Sequence, residues 1–293
     1  MLTSAISRRH GFTLVELLVG AVVSAIVGVA TLTLTVHHER LARALDRILL
    51  TRRSLREGAD ALRYDLRALA PQRSGLYEIG EAFVDFRLIT GFSVVCAIDS
   101  TRTVVSIPAR GTSDPSLTSW IVAPDAGDTV MVLVPAANPD SAVWSQSALA
   151  AVPARGHPCP SAFADAGDST ASLTLRLTAP LSSNVGVGAP IRIFRRARYA
   201  LYRAGDGAWY LGFQDCLATR ATPCAIIQPV AGPYAARGIR FRFLDTAAAP
   251  TTNPSRVARI DVVMRSIATL GPDVPGLPAA FEDSVLLTIT PRD

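Results

Sequence analysis

The chain contains no lysine; its 29 basic residues are all arginine, and charged residues make up only 18% of its 293 positions. Histidine is scarce too, with four in all (His10, His37, His38 and His157). No Gly-x-Ser-x-Gly elbow, phosphate-binding Gly loop or His-Glu-x-x-His pair occurs, so the commonest hydrolase, nucleotide-binding and zinc-protease chemistries lack their parts. A triad built on His157, in a Pro-flanked loop, is the one enzymatic arrangement left open. No Cys-x-x-Cys spacing is present, and His157 is the only imidazole near Cys159, so neither a metal site nor a cofactor is expected. The net charge of +5 does not mark a nucleic-acid surface, because residues 1–11 carry +2, 12–36 carry −1, 37–70 carry +3 and 71–293 only +1. A backbone-binding groove needs clustered Arg in the globular part, so nucleic acid is not expected as a partner.

Proline is absent before Pro71, and that freedom is used at once. Arg8-Arg9-His10-Gly11-Phe12-Thr13-Leu14-Val15-Glu16 leads into an apolar run that continues to about Val36, long enough to span a bilayer behind a basic flank. Its one charge is Glu16. An ionised side chain at membrane depth costs at least ~2.5–3.5 kcal/mol and therefore marks a functional position unless it is paired. A secretory signal needs a shorter apolar core with its cut site after it. A plain membrane anchor fits the length but leaves Glu16 unexplained.

At Gly11-Phe12-Thr13-Leu14-Val15-Glu16 the chain resembles the type IV pilin-like family, which includes pilins and the pseudopilins of type II secretion. The resemblance implies that residues 1–11 are a leader removed by a prepilin peptidase after Gly11, and that the new terminus, Phe12, is N-methylated. It implies that Glu16 pairs with the terminal ammonium of a neighbouring subunit's Phe12. The expected partners are other pilin or pseudopilin subunits, the prepilin peptidase, an inner-membrane assembly platform and the lipid membrane. The expected location is the inner membrane, crossed once, with the head exported to the periplasm before entry into a pilus or pseudopilus. All four cysteines lie beyond the span, where an exported head meets an oxidising compartment. Cys216 and Cys224 close a short loop and are paired, which leaves Cys96 with Cys159.

The helical pattern continues past the span. Leu41, Leu45, Ile48, Leu55, Ala59, Leu62, Leu66 and Leu69 recur at spacings of three and four, interrupted by Arg52. One helix from Phe12 to Ala70 would be on the order of 85–90 Å long. Residues 12–36 are expected in lipid or a filament core. Residues 37–70 form an amphipathic continuation lying on the head, with a coiled coil as the rival reading. Gly20, Gly28 and Gly58 are expected weak points, each unfavourable by about 1 kcal/mol relative to Ala.

Residues 71–293 read as one β-rich head, giving an α+β chain. Strands are expected at Phe92–Ile98, Thr103–Ile107, Thr129–Val134, Ser172–Leu177, Ile191–Phe194, Arg198–Arg203, Ala208–Phe213, Ile239–Leu244, Val257–Met264 and Val285–Thr290. Ile239-Arg240-Phe241-Arg242-Phe243 shows the clearest alternation, and Gly205-Asp206-Gly207 makes 198–213 the best hairpin. Segments 108–128, 135–170, 178–190, 245–256 and 267–280 are expected as long surface loops. Trp120 and Trp144 fall in such loops, either as contacts for another molecule or as plugs over a sheet edge. Asp125-Ala126-Gly127-Asp128 recurs as Asp165-Ala166-Gly167-Asp168, and Asp and Gly are what a tight turn entering a strand requires. Calcium ligation is the alternative, although neither copy supplies six oxygens in series.

Looser likenesses in the head point to the larger minor pilins of the W type or minor pseudopilins of the J type. The expected function is a non-enzymatic structural minor subunit. The alternatives are a membrane-anchored binding protein for DNA or a secreted substrate, and an anchored hydrolase.

Overall fold

The computed structural model describes residues 13–69, 75–109, 117–135, 143–156, 159–160, 163, 172–217, 224–270 and 276–291. Its longest element is helix α1, Leu14–Arg67. Boundaries at Arg52/Arg53, Ser266/Ile267 and Glu282/Asp283 divide the chain into two compact units.

The first unit contains α1 as far as Arg52. Up to Leu34 its large apolar side chains stand exposed on every side of the helix. The hydroxyls of Thr31, Thr33 and Thr35 donate to the carbonyls of Val27, Val29 and Thr31 at 2.8, 2.8 and 2.9 Å. No polar group of these threonines is left to seek water. Further along, Glu39 and Arg43 pair at 2.9 Å along the helix, and Ala44 forms a small core with Ala268 and Leu270. Leu41, Ile48, Leu277 and Phe281 pack around it. Arg47 donates to the carbonyl of Thr269 at 2.7 Å, and Arg52 lies over the Phe281 ring. The expected stripe needs one correction here. Leu45 is 47% exposed and Ala44 takes the buried place against Ala268 and Leu270; the two positions fit the helical period equally well, and the packing partners decide between them.

In the second unit α1 buries Leu55, Ala59, Leu62 and Leu66 among strands, which is the packed amphipathic arrangement and not a coiled coil. The strands in chain order are β1 (Leu76–Gly80), β2 (Phe83–Val94), β3 (Ala97–Ile98), β4 (Val104–Pro108), β5 (Ser119–Trp120), β6 (Thr129–Val134), β7 (Val143–Ala148) and β8 (Ala154–Gly156). They continue as β9 (Ser172–Arg176), β10 (Pro190–Arg203), β11 (Trp209–Asp215), β12 (Ile227–Tyr234), β13 (Ile239–Leu244), β14 (Arg259–Thr269) and β15 (Ala280–Ile289). An eight-stranded sheet runs β1-β2-β10-β11-β12, with β5 on β2, β6 on β10 and β7 on β6. A four-stranded sheet runs β3-β4-β9-β8, and a three-stranded one β13-β14-β15. The fold is therefore α+β, a long helix packed against a strand-rich head of several antiparallel sheets.

Two hydrophobic cores occupy this unit. The first joins the helix face to Val84, Phe86 and Tyr199 of the large sheet and to Phe241, Val262 and Leu287 of the three-stranded sheet. A second joins Val105 and Leu175 of the four-stranded sheet to Val130, Ile191 and Ile193. The alternation along β13 buries Ile239, Phe241 and Phe243 and exposes Arg240 and Arg242. The hairpin β10–β11 closes with Arg203 opposite Trp209, and Gly207 supplies the positive φ that its turn needs.

Several expected boundaries move. The two strands read as 191–194 and 198–203 are one strand, β10, because Arg195 and Arg196 between them have partners and need not leave the sheet. The strand expected to start at Phe92 starts at Phe83 and shifts register against β10 between Ile193 and Phe194, opposite Thr90. Such a bulge breaks period-two alternation and hides the strand from pattern reading. The expected loops 108–128 and 135–170 contain β5, β7 and β8, and β1 and β12 are strands that alternation did not mark.

Gly58 is also corrected, from a weak point to a packing requirement. A Cβ there would stand 2.2 Å from the Tyr234 hydroxyl and 2.7 Å from Met264 Cε, and the same hydroxyl donates to the Ser54 carbonyl at 2.9 Å. At Gly20 and Gly28 a Cβ would meet nothing within 4 Å. Gly58→Ala should therefore destabilise the protein by roughly 1–3 kcal/mol of overpacking, against the helical preference for Ala. Chemical denaturation is the measurement, and Gly28→Ala is the control expected to leave the head's unfolding midpoint unchanged.

Candidate functional site

The start of α1 is built as a capping box. Thr13 precedes the first helical residue, and its carbonyl accepts the first intrahelical bond from the Leu17 amide at 3.2 Å. The Glu16 amide donates to Thr13 Oγ1 at 3.2 Å, while the Thr13 amide and hydroxyl donate to Glu16 Oε2 at 2.9 and 3.1 Å. Two amides that a helix start leaves orphaned are thereby satisfied reciprocally, with a carboxylate held at the positive end of the helix dipole. Both bonds to the carboxylate use Oε2. The sequence reading gave Glu16 only an assembly role and missed this local one, although Thr-x-x-Glu before an apolar run is its signature. Gly11 and Phe12 lie outside the described residues.

Ionisable groups in the head are spent on each other. Arg195, buried at the centre of β10, donates from Nε and Nη2 to the two oxygens of Asp128 at 2.8 Å each, and from Nη1 to Asp215 at 3.3 Å. Its bond to Asp128 raises the guanidinium pKa further, although burial opposes this. Asp128 also accepts the Asp125 amide at 2.8 Å, and Gly127 takes positive φ. The Asp125–Asp128 segment is therefore a turn locked to a strand by a fork-shaped ion pair, and its inner carboxylate already has a cation. The second copy, Asp165–Asp168, lies outside the described residues. Asp85 is fully buried between Arg196 and Arg198 on the same sheet, and Glu78 adds a 3.0 Å contact to Arg198.

Trp120 sits in β5 against Gly91 of β2, packed on the second core, and plugs that sheet edge. Trp144 lies under the Arg192 guanidinium at 4.8 Å. The structure joins Cys96 to Cys159 and Cys216 to Cys224, with Cα separations of 5.5 and 4.1 Å. His157 lies outside the described residues. Among the described residues no group of three or more His, Cys, Asp or Glu converges.

Against this geometry, the model of the prokaryotic N-terminal methylation motif matches residues 6–32. The match covers the capping box and the exposed apolar half of α1, and it supports a type IV pilin-like protein, a prepilin-processed subunit. That motif points to a structural subunit and not an enzyme, to assembly with other pilin subunits, and to membrane anchoring. No curated protein and no solved structure matches the chain.

One titratable pair, a buried tyrosine and a half-buried carboxyl, ties the helix to the head. Tyr199 donates its hydroxyl to Asp65 at 2.7 Å, stacked on Phe86 with ring centroids 5.4 Å apart. Burial pushes the Asp65 pKa up, opposed by that hydrogen bond, and burial also raises the tyrosine. A carboxyl raised on folding stabilises fully below its ordinary pKa, and the contribution is lost as pH rises through the folded value. Asp65→Asn keeps an acceptor for Tyr199 and never ionises. Its melting temperature should exceed that of the native protein at pH 7, with the difference shrinking to zero as pH falls below about 4. Paired thermal melts between pH 3 and 7 give the answer, and a difference independent of pH would show that Asp65 is not desolvated.

Proposed function

We propose that the chain is a structural minor subunit of a type IV pilus or a type II secretion pseudopilus. In this reading residues 1–11 are a leader cut off after Gly11, and Phe12 becomes a methylated terminus. Residues 12–36 are the span that moves from lipid into the filament core, residues 37–70 the amphipathic continuation, and 71–293 the exported periplasmic head. The looser likenesses in the head favour a W-type minor pilin or a J-type minor pseudopilin. An inner-membrane assembly platform would extract the subunit, with Glu16 taking the ammonium of a neighbouring Phe12.

The observation that carries the reading is the motif at residues 6–32 running into a helix whose large apolar side chains, to Leu34, stand exposed among the described residues. Such a surface calls for lipid or other helices. Glu16 adds support, since its Oε1 carries no hydrogen bond among the described residues while Oε2 holds the cap. A buried acid–ammonium pair broken on one side typically costs ~3–5 kcal/mol, because the other charge is left uncompensated.

Two outcomes are expected. Intact-mass analysis of the mature protein should find a chain beginning at methylated Phe12, and retention of residue 1 would sink the processing reading. Glu16→Gln preserves the Thr-x-x-Gln cap but removes the charge. It should be processed, leave the head's melting temperature unchanged, and fail to co-purify with sheared filaments, as should Glu16→Ala. If Glu16→Gln enters filaments as well as the native protein while Glu16→Ala does not, the cap and not the charge is what assembly uses.

A further inference from the structure

Carboxylates set into the sheets of this head come with their own cations. Asp85 holds Arg196 and Arg198, Asp128 and Asp215 hold Arg195, and Asp245 and Asp261 hold Arg256 and Arg259. Around Asp85 each guanidinium also lies over a ring, Arg198 over Phe83 and Arg196 over Tyr77. A carboxylate and an aromatic face together form the seat in which this protein keeps an arginine.

Asp65 departs from that rule. Its Oδ2 accepts the Tyr199 hydroxyl, while Oδ1 has no hydrogen bond among the described residues and is not sealed off from solvent. No cation among the described residues bonds it, and it is the one carboxyl in the described head that burial pushes upward. Asp65 lines a cavity of about 300 Å³ together with Tyr64 and Ala68 of α1, Phe92 of β2, Trp120 of β5 and the following Ile121. Every lining residue belongs to the second compact unit. Tyr64, Phe92 and Ile121 are 74%, 53% and 73% exposed, an apolar rim of the kind that marks a contact surface. At the small end of the range for ligand pockets, roughly 300–1,000 Å³, the space suits one side chain and not a cofactor. Arg87 also lines it, but its guanidinium is held over the Tyr77 and Phe194 rings and donates to Met131 Sδ at 3.3 Å. The Asp65 carboxyl responds only to burial and to its bond with Tyr199, so Arg87 does not neutralise it.

We propose that this cavity receives an arginine side chain carried on an apolar stretch of a partner polypeptide. The guanidinium bonds the open oxygen of Asp65 and stacks on the aromatic wall, its methylene stem lies along apolar surface, and the partner's apolar neighbours cover the rim. Charge selects this occupant. A neutral apolar side chain would bury Asp65 with no charge to meet it, and a carboxylate would be repelled. An ammonium would meet the charge but lacks the plane that stacks. The inference goes beyond the filament reading and does not depend on it.

The test uses the full chain in lipid nanodiscs, titrated calorimetrically with the blocked peptide acetyl-Ala-Leu-Arg-Leu-Ala-amide, with empty nanodiscs as the blank. The same peptide with citrulline, which keeps the shape of arginine without its charge, should bind at least tenfold more weakly, as should N-acetyl-arginine amide alone. The lysine peptide should fall between the arginine and citrulline peptides. Asp65→Asn should remove the preference for arginine over citrulline. Ala68→Trp, at an exposed helix position, fills the cavity and should abolish binding of both. No saturable binding of the arginine peptide overturns the proposal, as does equal binding of the citrulline or lysine peptide. Binding that survives Ala68→Trp places the ligand elsewhere and overturns it too. N-acetyl-arginine amide binding as tightly as the peptide would make a free small cation the ligand and overturn the polypeptide source.

Discussion

The larger of the head's two cores depends on one contact, the seating of Leu55, Ala59, Leu62 and Leu66 of α1 among strands of two separate sheets. Each fully buried leucine stabilises by roughly 1.5–3 kcal/mol relative to exposure. The face works at this density because Gly58 lets the Tyr234 hydroxyl reach the Ser54 carbonyl, while Ser54 Oγ donates to the Gly232 carbonyl at 2.6 Å. Small residues on the helix set the approach distance, and large ones fill the space so created. Among the described residues the same helix makes no such contacts before Leu41, and the change from exposed to packed is made by composition, without a break in the helix.

Where composition and period agree, the sequence was legible. The extent of the helix, the alternation of β13 and the hairpin at Gly205–Gly207 follow from local chemistry alone. What escaped was structure in which a distant partner rewrites the local signal. Asp85, Arg87 and Arg195 look like surface residues and sit buried in strands, because ion pairs and aromatic faces from elsewhere neutralise them. Thr90 breaks the alternation of β2 at a bulge, and the prolines that protect β12 also disguise it as a loop. At the helix start the apolar run and its single acid are plain, whereas the bonds that tie Thr13 to Glu16 depend on where the first turn begins, which the apolar run alone does not mark.

The absence of lysine acquires a structural meaning. Arg195 grips Asp128 with two nitrogens of a rigid fork, and Arg196, Arg198 and Arg192 lie over Tyr77, Phe83 and Trp144 at 5.3, 4.6 and 4.8 Å. An ammonium makes neither contact equally well, since it lacks the plane that stacks and the paired donors that match a carboxylate. Arginine thus lets charge be placed inside a sheet that would otherwise have to be apolar on both faces.

The cap at Thr13 and Glu16 is self-sufficient. Its donors are the Thr13 amide, the Thr13 hydroxyl and the Glu16 amide, and its acceptors belong to the same two side chains. The Thr13 amide is part of the bond to Phe12, one peptide beyond the junction between Gly11 and Phe12. Severing that junction removes none of the groups that initiate the helix. Nucleation is the costly step in helix formation, and here its groups all lie on the helix side of the proposed junction. On the processing proposed above, a peptidase would change the charge and length of the terminus and leave in place every group that starts the helix.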